Sequence, residues 1–262
     1  KNATVGNPTP FMSHISYNPI LALAIYISYY NIFIQNNLSK FKFFIYSFFA
    51  LSMTINMFIT GGRAGQVMYF VMLTILIFQF FGKEKLKSLL TVFVLVPLIF
   101  FTAYQSSNIF QSRVDQAVNN TINFEINRNS SVGERINFAI NTWDVIKENP
   151  IIGVGTGDFP SEYKKINQIN SPQMQPTTNP HNMYTLVTMQ LGFIGLMSLL
   201  SIFYFQIKLS FISQNKFFKD LGFALPIMFL VIMLSDSYLL GHYTTLVFVF
   251  FSSFLYKNFD KS

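Results

Sequence analysis

Seven long apolar runs occupy most of the sequence and limit what the chain can fold into. A helix rises about 1.5 Å per residue, so roughly 20 apolar residues cross the ~30 Å hydrocarbon layer of a membrane. The chain is 51% hydrophobic and 11% charged, whereas a soluble domain carries about 25% charged residues. The sequence therefore predicts an all-α, polytopic transmembrane helix bundle of about seven spans, at residues 16–35, 43–60, 65–81, 88–104, 183–206, 221–235 and 238–256.

The lysines predict how this bundle lies in the membrane. Ten of them fall in the short connections after the first, third and fifth runs and in the tail after the seventh. Short Lys-rich loops stay cytoplasmic, so the N-terminus and the long connection 105–182 are expected on the external, periplasmic side. The expected parts are four spans in 1–104, an external loop in 105–182, and three spans with a short cytoplasmic tail in 183–262. The net charge of +7 then reflects topology, which disfavours nucleic acid binding.

The residue types narrow the chemistry. The chain has no Cys, which excludes disulfides, Cys-ligated metals and a thiol nucleophile. The absence of a Cys/His cluster also argues against a catalytic metal, although Asp158 and Glu162 leave that question open. We expect no cofactor. All four Arg and all three His fall on the external side or at its edge, so polar chemistry is expected to face outward.

The external loop contains one clear helix, predicted over about 132–148. Ser131 and Glu134 have the spacing of a capping box, and Pro150 ends the run. An apolar stripe recurs at helical spacing and predicts an amphipathic helix lying on the membrane surface or on the bundle. It consists of Ile136, Ala139, Ile140, Trp143 and Ile146. Arg135 lies in the first turn, where the helix dipole prefers anions. Its side chain is either solvated or, with the free backbone N–H groups, a partner for an anionic ligand.

Two glycine-rich segments flank this region. Arg63 lies in the short turn Gly61–Gly65, either as a headgroup anchor or because the glycines let the backbone bend closely around something. In the external loop, Gly153, Gly155 and Gly157 alternate along the chain. They predict either an anion-binding nest or a tight turn that returns the chain to the bundle. The dinucleotide-binding fingerprint is excluded because the segment follows a helix instead of a strand.

His181 lies immediately before the fifth run, within the segment Asn179–Asn182. This position is the outer edge of the membrane, where an imidazole can accept a proton or is simply solvated. Asp236 and His242 fall near the outer end of the last hairpin, and we expect them to pack or to cap the hairpin. No role is assigned to His14.

Taken together, these segments resemble the O-antigen ligase family of polytopic membrane proteins, which includes O-antigen ligases, O-antigen polymerases and O-oligosaccharyltransferases. The resemblance extends from about residue 15 to 250. It rests on Gly61–Gly65, Glu134–Trp143, Asn149–Phe159, Pro180–Asn182 and Gly192–Gly195. The family has more than seven transmembrane helices and the chain starts at Lys1 without an initiator Met, so it is expected to be a C-terminal fragment.

The resemblance implies a metal-independent enzyme of the bacterial inner membrane. It would move a glycan from undecaprenyl pyrophosphate to an acceptor hydroxyl at the periplasmic face, without a nucleotide sugar. By resemblance, Arg63 and Arg135 would contact the pyrophosphate, and His181 would assist the acceptor. Asp158, Asn179 and Asn182 are second-rank candidates that would bind sugar hydroxyls or orient His181, with turn capping as the alternative.

Several functions stay open within and beyond this family. Ligation to lipid A core ranks first, glycan polymerisation second and protein O-glycosylation third, with membrane lipids as further partners. A transporter is the rival of a different class, but the first five runs carry no ionisable residue in their cores. A structural or receptor role would leave Arg63, Arg135 and His181 apart. The enzyme hypothesis predicts that they face one cavity, within reach of a diphosphate at roughly 10 Å.

Overall fold

The computed structural model describes residue 4 and residues 11–35, 38–123 and 128–257. Ten α-helices and no strand occur in these residues, so the prediction of an all-α fold is confirmed. The helices are α1 (His14–Phe33), α2 (Lys40–Ile59), α3 (Arg63–Phe81), α4 (Lys85–Ser106), α5 (Asn108–Ile122), α6 (Ser131–Glu148), α7 (Phe159–Asn170), α8 (Met183–Ser210), α9 (Lys216–Ile232) and α10 (His242–Leu255).

All seven apolar runs form helices, namely α1 to α4 and α8 to α10. Within the described residues, α2, α3, α4 and α8 are long and apolar enough to cross a membrane. Helix α1 has 20 residues but is not among these four, and α9 and α10 have only 17 and 14 residues. The transmembrane character therefore holds for four helices, and the number of seven spans stays a prediction.

Helices α1 and α3 pack closely because of the glycines beside Arg63. A Cβ atom on Gly65 would lie 2.1 Å from the Cβ of Asn18, and one on Gly62 would lie 2.4 Å from the Asn18 Nδ2. Asn18 also contacts the start of this turn, because its Oδ1 accepts a hydrogen bond from the Thr60 hydroxyl at 3.1 Å. The feature around which the Gly61–Gly65 backbone bends is thus a side chain of α1.

Helix α8 is broken at Gly192, where the backbone has φ +64°. The segment that follows α6 enters this break and replaces the missing helical hydrogen bonds. Val154 donates its N–H to the Met189 carbonyl at 2.9 Å, and Phe193 donates to the Pro150 carbonyl at 2.8 Å. The N–H of Gly155 bonds to the Gln190 carbonyl at 2.9 Å in the same way. The N–H of Gly153 is also engaged, by the Asn149 carbonyl at 3.0 Å. The glycine-rich segment is therefore a turn docked into a transmembrane helix, and these three N–H groups are not available to an anion.

The long connection between α4 and α8 holds three helices, of which only α6 was predicted. Helices α5 and α7 are mostly polar and rich in Asn and Gln. Their few apolar residues still recur at helical spacing, as Phe110, Val114 and Val118 do in α5, so this pattern could have revealed both helices. The predicted cap of α6 is wrong by one residue. The Ser130 hydroxyl accepts the N–H of Gly133 at 3.1 Å, while Ser131 is already the first helical residue.

The apolar stripe predicted on α6 is divided between two environments. Ile146 is buried, as are Phe138 and Val145, which the stripe did not include. Ile140 and Trp143 are instead 52% and 50% exposed. Two further exposed apolar side chains follow the helix in the docked turn, Ile151 and Ile152. This exposed apolar patch favours the membrane-surface alternative for that side of α6.

Candidate active site

Arg63 connects α3 to α6 at one end of the bundle. Its Nη2 donates a hydrogen bond to the Ser131 hydroxyl at 2.7 Å. Ser131 and Arg135 are four residues apart in α6, so their side chains lie on the same face of that helix. The first turn of α6 therefore brings the second predicted arginine to the side that faces Arg63.

The two arginines line one cavity of about 90 Å³. A third arginine, Arg113 of α5, lies in the same wall. The remaining lining comes from His14 and Ile15, the Gly61–Gly65 turn and Tyr238, and contains no carboxylate. Arg135 and Arg113 are the charged neighbours that act on Arg63. Three guanidinium groups without a facing acid make the cavity suited to an anion with several oxygen atoms.

Sequence reasoning missed Arg113 and His14 as residues of this site. Arg113 lies in the mostly polar helix α5, whose few apolar residues do not indicate which helices pack beside it. His14 begins α1 and is far in sequence from the arginines that line the cavity. Only the packing of α1 against α3 brings it there.

His181 pairs with Asp236 beside this cavity. The His181 Nδ1 lies 3.2 Å from Asp236 Oδ2, with side chains that are 35% and 12% exposed. The imidazole also stacks on Phe138, at 6.1 Å between ring centres and an interplanar angle of 23°. Phe138 is one turn beyond Arg135 in α6, so His181 lies next to the helix that carries Arg135. His181 itself does not line the arginine cavity.

The backbone of His181 is held in an uncommon conformation. Its φ of +53° is in the left-handed region, which non-glycine residues adopt rarely. The Asn179 side chain stabilises it, because its Oδ1 accepts the His181 N–H at 3.0 Å. The Asn179 Nδ2 in turn donates to Asp236 Oδ1 at 3.2 Å. Asn179 thus fixes both members of the pair.

The surroundings of Asp236 favour its charged form. Burial acts to raise the pKa of Asp236, but the hydrogen bond from His181, the N–H of Ser237, and the charges of His181 and Arg135 outweigh it and hold the pKa below its ordinary value. Arg135 therefore acts on Asp236 as well as on Arg63. The arginine cavity and the His181–Asp236 pair share one electrostatic environment. Asp236 also accepts the Ser237 N–H at 2.7 Å, so it stabilises the turn in addition to pairing with His181.

The other sequence candidates lie outside the cavity. Asn182 caps α8, since its Oδ1 accepts the N–H groups of Tyr184 and Thr185 at 2.9 and 3.1 Å. Asp158 is exposed at the start of α7. His242 begins α10, with its ring 5.3 Å from that of Tyr243. The cavity lining includes none of these candidates.

Comparison with known proteins identifies the family. No curated protein sequence matches the chain. The O-antigen ligase family model matches residues 48–200, which is more than half of the chain. The match includes all three arginines of the cavity and His181, whereas Asp236 lies beyond it. The chain therefore belongs to the O-antigen ligase family, whose members are membrane glycosyltransferases of the O-antigen ligase and polymerase type.

Proposed function

We propose that the protein transfers a glycan from undecaprenyl pyrophosphate to an acceptor hydroxyl at the periplasmic face of the bacterial inner membrane. The observation that carries this proposal is the cavity lined by Arg63, Arg113 and Arg135, with the His181–Asp236 pair beside it. Family membership supports glycan transfer in general. The donor, the acceptor and the membrane face are part of the proposal.

The arginine cavity matches what a diphosphate leaving group needs. As the bond between the sugar and the diphosphate breaks, negative charge grows on the phosphate oxygen. A guanidinium offers two parallel N–H donors to phosphate and keeps its charge at all relevant pH values. Arg63 is also held in place by Ser131, so little reorganisation is needed when the donor binds.

The His181–Asp236 pair suits the acceptor side of the reaction. An ionised Asp236 can only accept a hydrogen bond, so His181 carries its proton on Nδ1 and leaves Nε2 as the base. In the transfer step, the acceptor oxygen attacks the anomeric carbon and the bond from that carbon to the diphosphate oxygen breaks. Its electron pair leaves with the undecaprenyl pyrophosphate, and the acceptor proton passes to His181 Nε2.

The positions along α3 support a periplasmic active face. Arg63 begins α3, and the Lys-rich connection from Lys83 to Lys87 follows the end of α3. The 19 residues of α3 place its two ends about 28 Å apart at 1.5 Å per residue. This distance is close to the thickness of the hydrocarbon layer. Short loops rich in Lys stay cytoplasmic, so the arginine cavity belongs on the other side.

The acceptor is lipid A core in the reaction that we rank first. A growing glycan ranks second and a protein hydroxyl third. All three acceptors are considered because the same donor site would serve each of them. The test supplies an undecaprenyl-pyrophosphate-linked glycan to the purified protein in liposomes, with each acceptor in a separate reaction. We expect transfer to lipid A core, and its loss in Arg63→Ala, Arg135→Ala and His181→Ala.

A matched control separates the cavity from surface charge. Lys164 is an exposed cation of α7 outside the cavity lining, so Lys164→Ala should transfer at the wild-type rate. Lengthened glycans without lipid A core product would replace ligase by polymerase, and a labelled protein would favour protein glycosylation. Full activity in the two arginine variants would contradict the proposed donor site.

A further inference from the structure

A second charged cavity lies at the opposite end of α3, near the lysine-rich connections. Its volume is about 560 Å³, larger than that of the arginine cavity. Lys85 of α4 and Lys219 of α9 supply its positive charge, and Asp220 is its acidic group. Phe78, Phe211 and Phe223 supply much of its apolar wall. The cavity thus combines a cationic end with aromatic walls.

The acidic group of this cavity is already engaged by the bundle. The Asp220 carboxylate accepts the hydroxyl of Tyr30 at 2.9 Å, and its backbone carbonyl accepts Nε2 of Gln79 at 2.9 Å. These bonds connect α1, α3 and α9. The ammonium of Lys219 lies 5.6 Å from the ring centre of Phe211. In the described part of the chain, neither Lys85 nor Lys219 forms an ion pair with a carboxylate.

The apolar wall extends from the charged end along the membrane-facing part of α3. The lining runs from Gly82 back to Thr74, which is about 12 Å at 1.5 Å per residue. Phe78 lies in the middle of this stretch and is 40% exposed. A small soluble anion would use only the lysine end of such a cavity. A molecule with an anionic head and an apolar chain would fill both parts.

We propose that this cavity binds one anionic phospholipid in the leaflet opposite the arginine cavity. The phosphate lies between Lys85 and Lys219, and an acyl chain lies along Phe78 and Phe223. The lipid would thereby contact α3, α4 and α9 at once and stabilise their packing. This proposal does not depend on the transfer reaction, because the two cavities are at opposite ends of α3.

The test uses a fluorophore placed in the cavity. Trp143 is the single Trp of the chain, so Trp143→Phe with Phe223→Trp leaves one indole, inside the cavity. The protein is reconstituted with brominated phosphatidylglycerol or, at the same mole fraction, brominated phosphatidylcholine. We expect stronger quenching by phosphatidylglycerol. Lys85→Gln with Lys219→Gln should reduce that preference roughly tenfold or more, since each lysine near anionic lipid contributes substantially to binding.

Two control pairs and one competitor make the outcome decisive. Lys40→Gln with Lys42→Gln removes two cations at the start of α2 outside the cavity, and the preference should persist. Lys85→Arg with Lys219→Arg keeps both positive charges and should also keep the preference for phosphatidylglycerol. This pair distinguishes the loss of charge from a folding defect caused by substituting these positions. Equal quenching by the two lipids, or an equal loss in the α2 control pair, would overturn the proposal. Displacement of phosphatidylglycerol by inorganic phosphate would overturn it in favour of a soluble anion.

Discussion

The Nδ1 atom of His181 lies 3.2 Å from a carboxylate oxygen of Asp236, although 55 residues separate them in the chain. The contact joins the segment before α8 to the turn between α9 and α10. Asn179 contacts both residues, so the imidazole is held from its backbone and from its ring. In the proposed reaction, an imidazole held in this way needs little movement to accept a proton.

We predict that Asp236 acts through His181. Asp236→Asn removes the carboxylate that fixes the imidazole tautomer, so we expect transfer to fall roughly 100-fold or more, as for His181→Ala. The double variant should be no slower than His181→Ala, because residues that act as a unit are not additive. Transfer rates of the four proteins measure this. Glu148→Gln, which removes an exposed acid at the end of α6, is the control and should leave the rate unchanged. Additive losses would contradict the prediction.

Arg113 is predicted to contribute to donor binding. Charge-assisted hydrogen bonds are worth about 1.5–3 kcal/mol, so Arg113→Ala should reduce transfer by roughly 10- to 100-fold. Arg113→Lys keeps the charge but loses the planar donor pair, and we expect an intermediate rate. Initial rates over a range of donor concentrations check this, with Lys164→Ala as the control. A wild-type rate for Arg113→Ala would exclude Arg113 from the site.

The lowered pKa of Asp236 predicts a pH dependence of stability. A carboxyl group with a lower pKa in the folded state stabilises the fold above its unfolded value of about 3.8 and loses that contribution as the pH falls through the folded pKa. Wild type should therefore melt at a higher temperature than Asp236→Asn at neutral pH. The difference should shrink as the pH falls below about 3.8. Thermal unfolding in detergent at stepped pH measures it, and a difference that grows in acid would contradict it.

Much of the fold could be predicted, because apolar runs of membrane length are a strong signal. Arg63, Arg135 and His181 could be singled out because each lies in a distinctive segment at the end of a predicted helix. Arg113 could not, since the mostly polar sequence of α5 does not indicate which helices pack beside it. Asp236 was expected only to pack or cap the last hairpin, and its pairing with His181 depends on how α8 and α9 pack. The count of spans depends on short helices whose sequences do not settle whether they cross the membrane.

Trp143 is predicted to lie at the membrane surface. It is 50% exposed beside other exposed apolar residues of α6 and the docked turn. We expect its fluorescence to be quenched by lipids brominated close to the headgroup and only weakly by lipids brominated near the chain ends. Because Trp143 is the single Trp of the chain, its fluorescence can be measured in the wild-type protein. Strong quenching by an aqueous quencher such as iodide, with none by either lipid, would place this face of α6 in water.

Gly192 should tolerate no side chain. A Cβ there would lie 2.0 Å from the Ile151 carbonyl oxygen, and the φ is +64°. We expect Gly192→Ala to destabilise the fold by roughly 3 kcal/mol or more, because both a clash and strain arise. Gly82→Ala is the matched control, since Gly82 has φ +60° but no atom within 4 Å of the added Cβ. It should cost only the backbone strain, about 1–3 kcal/mol. Equal losses of stability in the two variants would show that the clash is relieved.

The break in α8 makes the segment from Pro150 to Gly155 part of the membrane-spanning structure. Peptide groups without partners cost several kcal/mol each within a bilayer, and this segment supplies the partners on both sides of Gly192. Helix α8 can therefore hold its broken shape only when the segment that follows α6 is docked at the break. A proteolytic nick between α7 and α8 would then leave two pieces that stay joined through main-chain hydrogen bonds, as two strands of a sheet do.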